Sequence, residues 1–442
     1  MASSSLPLID IDRLQLGMYV VLDLGWMSHP FLRDRFTLRT AEQLEQLRGL
    51  GLRQVRWCPE RSLTQPLPEP VKDNTEPALE IPAPQGAEMR IAGAARLLGT
   101  EPPTEAQWQA QSLRLVEAEF TDAARAHQDL LKRIATAPQE ARESAEQLAA
   151  KLCSSVANSP NPSVRLLSQR VAPQPSGHEI GVTALALLLG RSSGFSAEAL
   201  RELALAALLH DIGKTRLPRF LHDDNGRLTI SERRSYRHHV ELGVELAQSM
   251  ALPDPIIQAI AQHHEHADGS GFPAAVTAEQ LTPVSRALVI VNRYHDLLKQ
   301  HPTQLGLTPY QALQQMYSSE RAHFDAELLA RFIRMLGVYP PGTLVELTDQ
   351  RMALVVASRP GHALAPRVQI IETPDADPAD ATIDIDPDGP LHVQRSVNLA
   401  QLHPRWMQRA RQLARAAVFV EPQTSPEWGA WSTAEAVETA AY

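Results

Sequence analysis

Cysteine is almost absent from this chain, which has only Cys58 and Cys153 among its 442 residues. Two distant cysteines exclude a disulfide framework and a cysteine-rich zinc module, and they fit a reducing compartment. Long apolar runs are also lacking, since VTALALLLG and LALAALL are far shorter than a membrane span. The N-terminal MASSSLPLIDID has no basic segment followed by an apolar run, so no signal peptide is expected. These absences predict a cytoplasmic protein without a membrane span.

Excess positive charge is missing too, because the net charge is -9. A nucleic-acid polymer is therefore not an expected partner, since binding its phosphates requires clustered cations. An anionic substrate would have to be held by metal ions and a few local cations. The hydrophobic fraction of 43% supports packed cores, and the length predicts two to four folded units.

Composition divides the chain into six predicted segments. They are a small α+β domain (6–64), a proline-rich linker (65–88), a helical connector (89–170), a helical domain (171–340), a β-rich appendage (341–395) and a helix with a tail (396–442). In the first segment, MYVVLDLG and RQVRW predict strands, and Thr40 with Gln43 predicts a capping box that opens a helix between them. The predicted fold class is therefore mainly α, with smaller parts that contain strands at either end.

Periodicity and capping residues predict the remaining elements. In the connector, an amphipathic helix is predicted from apolar residues at 113, 116, 120, 124 and 131, and it is interpreted as a connector or dimerisation arm. Helix N-caps are predicted at residues that precede prolines, Asp254, Thr282 and Thr308, and a capping box is predicted at Thr229 with Glu232. TLVEL, MALVVAS, RVQIIE and ATIDIDP predict strands, and LAQLHPRWMQRARQLARAAV predicts a further helix.

Histidine is concentrated between residues 178 and 301, which contain ten of the sixteen. Imidazole with a few carboxylates and no thiolates suits iron, manganese or zinc. His210 and Asp211 end an apolar helix, where the imidazole can bind one ion while the carboxylate bridges to a second. Lys214 follows one turn on, where a cation can meet a phosphate. A lone buried histidine is more often a hydrogen-bonded core residue, but five candidate positions in one domain favour a metal site: His178, His210, His239, His263 and His264.

Residues 178–337 resemble the HD-GYP domain, a subgroup of the HD phosphohydrolases. The resemblance rests on HEIGVTALALLLG, AALLHDIGKTRLP, HVELG, HHEHADGSGFP and HFDAELLARF, which occur in the order typical of the family. Residues 6–64 are similar to the small domain often found before HD-GYP domains, through IDRLQLGMYVVLDLGWMSHPF.

The resemblance implies an enzyme of bacterial signal transduction that hydrolyses cyclic di-GMP to pGpG or GMP, with a metal-activated hydroxide attacking phosphorus. It implies an all-helical domain with two divalent ions, iron first and manganese or zinc as alternatives. By position, Asp211 and Lys214 would be catalytic and Asp211 would bridge the ions. The implied metal ligands are His178, His210, Asp211, His239, His263, His264 and Asn292. The implied substrate contacts are Lys214, Arg286, Asp268, Gly269, Gly271 and Phe272.

Four positions depart from the HD-GYP pattern. Asn292 stands where the family has its last metal carboxylate, and Gln174 stands where three-metal members have a glutamate, so two ions are expected rather than three. The segment 301–304 lacks the basic residues of the family, which predicts weaker cyclic di-GMP binding, although Arg293 remains near in sequence. Phe272 replaces the tyrosine of the GYP loop and removes one hydroxyl, worth about 1 kcal/mol.

The other polar residues of this region are interpreted more simply. His295 and Asp296 follow Asn292 by about one turn on the same helical face, and they are interpreted as surface or capping residues rather than as substitute ligands. Three histidines match no ligand position and are interpreted as solvent-facing or supporting residues: His222, His238 and His266.

Three functional hypotheses remain open at this point. The first is a metal-dependent phosphodiesterase for cyclic di-GMP or a related nucleotide. The second is a degenerate HD-GYP domain that acts as a ligand-binding or protein-interaction module without turnover, as Asn292 and the missing basic segment favour. The third is an HD hydrolase for another phosphate ester. The sequence also leaves open a homodimer and a signalling-protein partner.

Overall fold

The structure is a computed structural model, and the residues that it describes form two compact units. The described residues are 6–22, 35–48, 52, 54–65, 105–159, 162–167, 176–222, 228–299, 306–359, 362–371, 382–387, 389–397 and 418–421. The first unit contains those up to Ser112, and the second contains those from Leu113 onward. None of the described helices is long and apolar enough to cross a membrane. Gln174 and the predicted linker from residue 66 lie outside the described residues.

The first unit is a small antiparallel sheet with one helix. Its strand order is β1 (Leu8–Asp10), β4 (Gln54–Trp57), β2 (Tyr19–Val21) and β3 (Arg35–Thr37), with α1 (Ala41–Arg48) between β3 and β4. The predicted capping box is present, because Gln43 N donates to Thr40 Oγ1 over 3.2 Å and Thr40 N donates to Gln43 Oε1 over 3.4 Å. The prediction of a small α+β domain at the N-terminal end is confirmed.

The second unit is mainly helical, as predicted. Its helices are α2 (Glu105–Arg133, which begins in the first unit), α3 (Pro138–Ala157), α4 (Gly177–Ser192), α5 (Ala197–Leu209), α6 (Ile230–Arg237), α7 (His239–Ser249), α8 (Asp254–Gln262), α9 (Pro283–Leu298), α10 (Pro309–Ser318) and α11 (Ala326–Leu336). Thr229, Thr282 and Thr308 are N-caps as predicted. The prediction for Asp254 is wrong by one residue, because Pro253 is the N-cap and Asp254 is already helical.

Helix α4 forms the centre of the second unit. Every residue from Ile180 to Gly190 is buried, so the helix is covered on all sides. It packs against α3, α5, α9 and α11. Its first turn carries His178, while the end of the neighbouring α5 leads directly into His210 and Asp211. The buried helix pair therefore brings two predicted ligand segments to one place.

A seven-stranded sheet belongs to the same unit. Its main order is β10 (Val393–Ser396), β6 (Leu344–Leu347), β7 (Met352–Ala357), β5 (Ser163–Leu166) and β11 (Val418–Glu421), and β8 (Arg367–Ile370) pairs with β7 and with β9 (Thr382–Asp384). The four predicted strands after the helical domain are present as β6 to β9. The sequence predicts helix at 163–166 and at Val418, and both predictions are wrong, because long-range pairing places these residues in adjacent strands. The rest of the predicted C-terminal helix, 399–417, lies outside the described residues.

Candidate metal centre

Asp211 lies between two groups of histidines. Its Oδ2 atom is 3.3 Å from His210 Nε2 and 3.8 Å from His178 Nε2. Its Oδ1 atom is 3.5 Å from His239 Nε2 and 3.7 Å from His263 Nε2. The ligand atoms fall into two candidate ion positions that share this carboxylate, with His264 in the second one. The structure thus brings together six of the seven predicted ligands around Asp211, including Asp211 itself.

Three of the histidines are oriented by backbone carbonyls three residues earlier in the chain. The Nδ1 atoms of His210, His239 and His263 lie 2.8, 2.6 and 2.6 Å from the oxygens of Ala207, Tyr236 and Ile260. Because a carbonyl can only accept a hydrogen bond, each Nδ1 carries the proton and each Nε2 presents a lone pair to the site. This arrangement is typical of metal-ligating histidine, whose second nitrogen is held by a carbonyl or carboxylate.

The distances within the cluster fit shared cations. His239 Nε2 and His263 Nε2 are 3.2 Å apart, and two lone pairs at this distance repel each other unless a cation lies between them. Nitrogen ligands bind metal at about 2.0–2.1 Å, so two of them on one ion lie about 3.0–3.4 Å apart. Three buried atoms of the cluster have no hydrogen-bond partner: His178 Nδ1, His264 Nε2 and Asp211 Oδ1. The residues therefore fit a pair of divalent ions.

Burial and neighbouring charges set the ionisation of these groups. Burial lowers the pKa of His239 to about 3, and it holds the pKa values of His178 and His264 well below the ordinary value. Neutral imidazole is the form that binds metal. Burial would raise the pKa of Asp211, but the Lys214 ammonium and the His210 ring outweigh burial and hold this pKa well below its usual range. Asp211 is therefore a carboxylate at neutral pH.

Lys214 is bound to the same carboxylate. Its Nζ atom is 2.6 Å from Asp211 Oδ2, and the side chain is 12% exposed. The short 3-10 helix that carries it packs directly on the start of α7, because a Cβ on Gly213 would lie 1.9 Å from the His239 oxygen. Glycine at 213 thus permits the close approach that sets Asp211 beside His239.

Helix α9 adds polar side chains next to His178. Asn292 is 2% exposed, and its Oδ1 atom has no hydrogen-bond partner. The His295 ring meets the His178 ring edge-on at 5.5 Å, and its buried Nε2 atom also has no partner. The interpretation of His295 as a surface or capping residue is therefore wrong, because the turn of α9 directs its ring inward. Asp296 is half-buried and pairs with Lys299 over 2.8 Å.

The loop after His264 packs against the cluster. Phe272 stacks on the His264 ring at 4.6 Å and 19°, and its backbone N–H donates to the His264 oxygen over 3.1 Å. The Phe272–Pro273 peptide is cis. Glu265, which sequence reasoning missed, is 1% exposed and accepts hydrogen bonds from Ala274 N at 2.6 Å and Val276 N at 3.1 Å. A buried carboxylate thus anchors this loop from inside.

The predicted substrate contacts in the loop have local partners. Asp268 Oδ1 accepts from Ser270 N over 3.0 Å and from Ser270 Oγ over 2.6 Å. Gly269 has a φ of 78°, which favours glycine. Gly271 lies against the backbone of Glu265, where a Cβ would come within 2.4 Å. These residues shape the loop beside His264.

The two predicted arginines are held by protein groups. Arg286 donates to the oxygens of Ala278 and Leu281 and pairs with Asp325 over 3.3 Å. Arg293 donates to Glu320 through two nitrogens, at 2.5 and 2.8 Å. Segment 301–304 lies outside the described residues. The cations that act on the ligand histidines are Lys214 and Lys299, which lower the pKa values of His239 and His178 respectively, in both cases after burial as the larger cause.

A separate group of possible ligand atoms lies outside the Asp211 cluster: His266, Asp268 and His323 come within 4.8 Å of one another, and His323 Nε2 is 3.9 Å from Asp268 Oδ2. His266 is half-buried and stacks on His323 at 4.1 Å and 7°, and its Nδ1 atom is 2.9 Å from Ser270 Oγ. Burial lowers its pKa to about 4, with His323 adding to the effect. His222 contacts the Leu217 oxygen over 3.0 Å, and the exposed His238 contacts Glu241 over 3.0 Å. The stacked His266–His323 pair thus lies beside the loop residue Asp268, in a group separate from the one around Asp211.

Comparisons with known proteins show which families this chain resembles. A family model described as HD domain matches residues 151–328, where the clustered histidines lie, and a domain of unknown function (DUF3391) matches residues 7–150. Residues 151–328 are therefore similar to the HD domain family. The match to this HD domain begins before the predicted segment 171–340 and ends within it.

One relative matches a longer part of the chain than this family model does. The chain is 28% identical over 367 residues to the cyclic di-GMP phosphodiesterase PA4108 of Pseudomonas aeruginosa, covering 82% of this chain and 84% of that protein. The chain is 29% identical over 150 residues to the cyclic di-GMP phosphodiesterase response regulator RpfG of Xanthomonas campestris, covering 33% and 39%. Among solved structures, the HDG"Y"P protein Bd1817 of Bdellovibrio bacteriovorus aligns with a TM-score of 0.41 and 13% identity, over 75% of this chain and 99% of that chain.

Proposed function

We propose that this chain is a metal-dependent phosphodiesterase that hydrolyses cyclic di-GMP or a related cyclic dinucleotide. The observation that carries the proposal is the position of Asp211, whose two oxygens face two separate groups of histidines. Two ions that share a carboxylate are suited to displacement at phosphorus, because together they clamp the attacking and leaving oxygens. The names of the relatives, which are phosphodiesterases for cyclic di-GMP, support this substrate class.

The chain's own residues would divide the work as follows. His178 and His210 would hold one ion, the set His239, His263 and His264 would hold the other, and Asp211 would bridge them. When bound, divalent ions lower the pKa of a coordinated water and offset charge on phosphoryl oxygens. Lys214 stabilises the Asp211 carboxylate and is placed to contact a phosphate oxygen. Iron is the first candidate for both positions, with manganese or zinc as alternatives.

Lys299 is a candidate for the second cation that holds the substrate. The sequence lacks the basic residues expected at 301–304, and the guanidinium groups of Arg286 and Arg293 contact Asp325 and Glu320. The Lys299 ammonium acts on the pKa of His178, so its charge reaches the metal cluster. A dinucleotide with two phosphates would then meet Lys214 and Lys299.

Asn292 favours the second hypothesis, a domain that binds ligand or a partner without turnover. An amide oxygen supplies no charge to an ion. HD-GYP domains have their last metal-binding carboxylate at this position. The buried Oδ1 atom of Asn292 and the buried Nε2 atom of His295 are both without partners, however, so two neutral donors are available on α9. We infer that these neutral donors replace the carboxylate and that metal binding is retained.

The deciding experiment is metal analysis with turnover. The full chain is purified without oxygen, its iron, manganese and zinc are measured, and the hydrolysis of cyclic di-GMP and of 3'3'-cGAMP is followed with each metal. The proposal expects about two ions per chain and hydrolysis of at least one dinucleotide. Two ions without hydrolysis would favour the binding module. Less than one ion per chain together with no hydrolysis would overturn the proposal.

A further inference from the structure

A histidine outside the metal cluster connects the two helix ends that carry one ion position. His127 lies in α2 and is 1% exposed. Its Nδ1 atom is 2.8 Å from Ser176 Oγ, and its Nε2 atom is 2.7 Å from the Leu208 oxygen. Both ring nitrogens of a fully buried imidazole are therefore used, and both partners belong to other segments of the chain.

Each partner lies two residues before a predicted ligand. Ser176 is the residue before α4 and precedes His178, and Leu208 is in the last turn of α5 and precedes His210. Leu208 O is among the last four carbonyls of its helix, which have no partner within the helix. His127 supplies the missing donor. It thereby ties the beginning of α4 to the end of α5.

Ser176 is held in an unusual conformation. Its φ is 68°, in the left-handed region that residues other than glycine rarely adopt. Its side chain makes no capping bond to α4 and instead contacts His127. The contact with His127 thus fixes this turn, immediately before His178.

The hydrogen bonds also define the state of the ring. The Leu208 oxygen can only accept, so Nε2 carries the proton, and Nδ1 accepts from the Ser176 hydroxyl. This is the pattern of the neutral imidazole, because a charged ring would donate from both nitrogens. Burial lowers the pKa of His127, which agrees with the neutral form, although Glu179 opposes the effect.

We propose that His127 is a positioning residue that sets the spacing of His178 and His210 and so determines the affinity of the ion position that these two histidines form. The proposal rests on the metal centre described above but not on its substrate. His178 Nε2 and His210 Nε2 are 3.3 Å apart, a spacing suited to one ion, and His127 bonds to both segments that fix it. The other ion position shares Asp211 but takes its histidines from the start of α7 and from the residues after α8, to which His127 does not bond.

The test measures manganese binding to the metal-free full chain by titration calorimetry and electron paramagnetic resonance. His127→Phe keeps an aromatic ring and removes both hydrogen bonds. It is expected to lower the affinity for one of the two manganese ions about ten- to a hundredfold, which is the usual effect of losing a residue that orients ligands. The affinity for the other ion is expected to stay unchanged. His127→Gln keeps one donor and one acceptor and is expected to restore much of the affinity.

Two further variants separate positioning from general destabilisation. Ser176→Ala removes only the hydroxyl and is expected to lower the affinity for the same ion by a smaller factor. His222→Phe, the matched control, removes an imidazole–carbonyl contact elsewhere and is expected to leave both ions unchanged. Unchanged binding of both ions in His127→Phe would overturn the proposal, and so would equal weakening of both ions. If His127→Phe does not fold, weaker binding of one ion in Ser176→Ala would support the proposal, and unchanged binding of both ions in Ser176→Ala would overturn it. Absence of manganese binding in the unaltered chain would instead count against the proposed function.

Discussion

The His295 ring lies directly over Gly181: a Cβ on Gly181 would come within 2.6 Å of His295 Cε1. Glycine at this position of helix α4 therefore makes room for an imidazole from α9. This contact places the buried Nε2 atom of His295 beside the His178 ring. The contact between Gly181 and His295 explains how a histidine one turn past Asn292 reaches the metal cluster.

The pH dependence of stability in the metal-free protein should reveal His295. Burial lowers its pKa to about 4, with Lys299 adding to the effect, whereas the unfolded value is about 6.5. The unfolded state binds more protons between these values, so the stabilisation is present above pH 6.5 and is lost as the pH falls toward 4. The free energy of unfolding should change by about 1.4 kcal/mol per pH unit for this one group. His295→Phe should reduce the slope by that amount in urea titrations, whereas Leu288→Ala, a core change without a titratable group, should lower stability equally at every pH.

Asp211→Asn should remove both ions, because both positions use this carboxylate. Turnover should fall by more than about a hundredfold, and metal analysis should find less than one ion per chain. His210→Ala should remove one ion and leave the second at His239 and His263. His238→Ala changes an exposed imidazole and serves as the control with normal metal content. Two retained ions in Asp211→Asn would contradict the bridging role.

Asn292→Asp should have opposite effects with and without metal. With metal, the new charge should strengthen binding by about tenfold, which corresponds to about 1.4 kcal/mol, and should raise turnover if this position limits the enzyme. Without metal, an additional buried charge should lower the free energy of unfolding by roughly 2–4 kcal/mol. Calorimetry of both forms tests this, with Asn292→Ala as the control that adds no charge. Equal stability of the metal-free forms would show that the carboxylate reaches solvent.

Lys299→Gln should raise KM for the dinucleotide and leave the metal content unchanged. The side chain is partly exposed, so the loss should be modest, roughly 1 kcal/mol or about fivefold in KM. Steady-state kinetics at two salt concentrations should show a smaller salt dependence in the variant. Arg331→Gln, which removes a surface ion pair with Glu327, should change neither quantity. A fall in kcat at constant KM would exclude a role in substrate binding.

Glu265→Gln should loosen the loop without removing metal. The amide can accept from only one of the two N–H groups, at Ala274 and Val276, that the carboxylate now satisfies. The cost should be about 1–3 kcal/mol, seen as faster hydrogen exchange at these two amides. kcat/KM should fall because Phe272 packs on His264 from this loop. Glu279→Gln at the end of the same segment is the control, and normal exchange in Glu265→Gln would contradict the anchoring role.

The ligand set could be predicted from the sequence because its residues occur in spaced motifs. His210 and Asp211 are adjacent in the chain, and so are His263 and His264. Each pair follows the end of a helix, so its two side chains lie close together. Helix starts could also be predicted from the sequence, because a cap such as Thr282 depends only on bonds to the next three residues.

What the sequence did not predict depends on contacts between distant segments. His127 sits on the predicted apolar stripe of α2, three residues after Ala124, and that position was the one sign that its imidazole is buried. Glu265 gave no sign, because its partners lie nine and eleven residues on. Strand β5 looked helical because its partners β7 and β11 lie far along the chain.

The pairing of β5 with β11 has a consequence for dissection of the protein. β5 precedes all helices that carry the metal ligands, and β11 follows them by more than a hundred residues along the chain. Phe419 from β11 packs edge-on against Phe120 of α2 at 5.5 Å, so the strand also covers apolar helix surface. A fragment trimmed to the helices alone would expose a sheet edge and this aromatic contact together. Limited proteolysis near either strand should therefore release aggregation-prone pieces rather than a soluble catalytic domain.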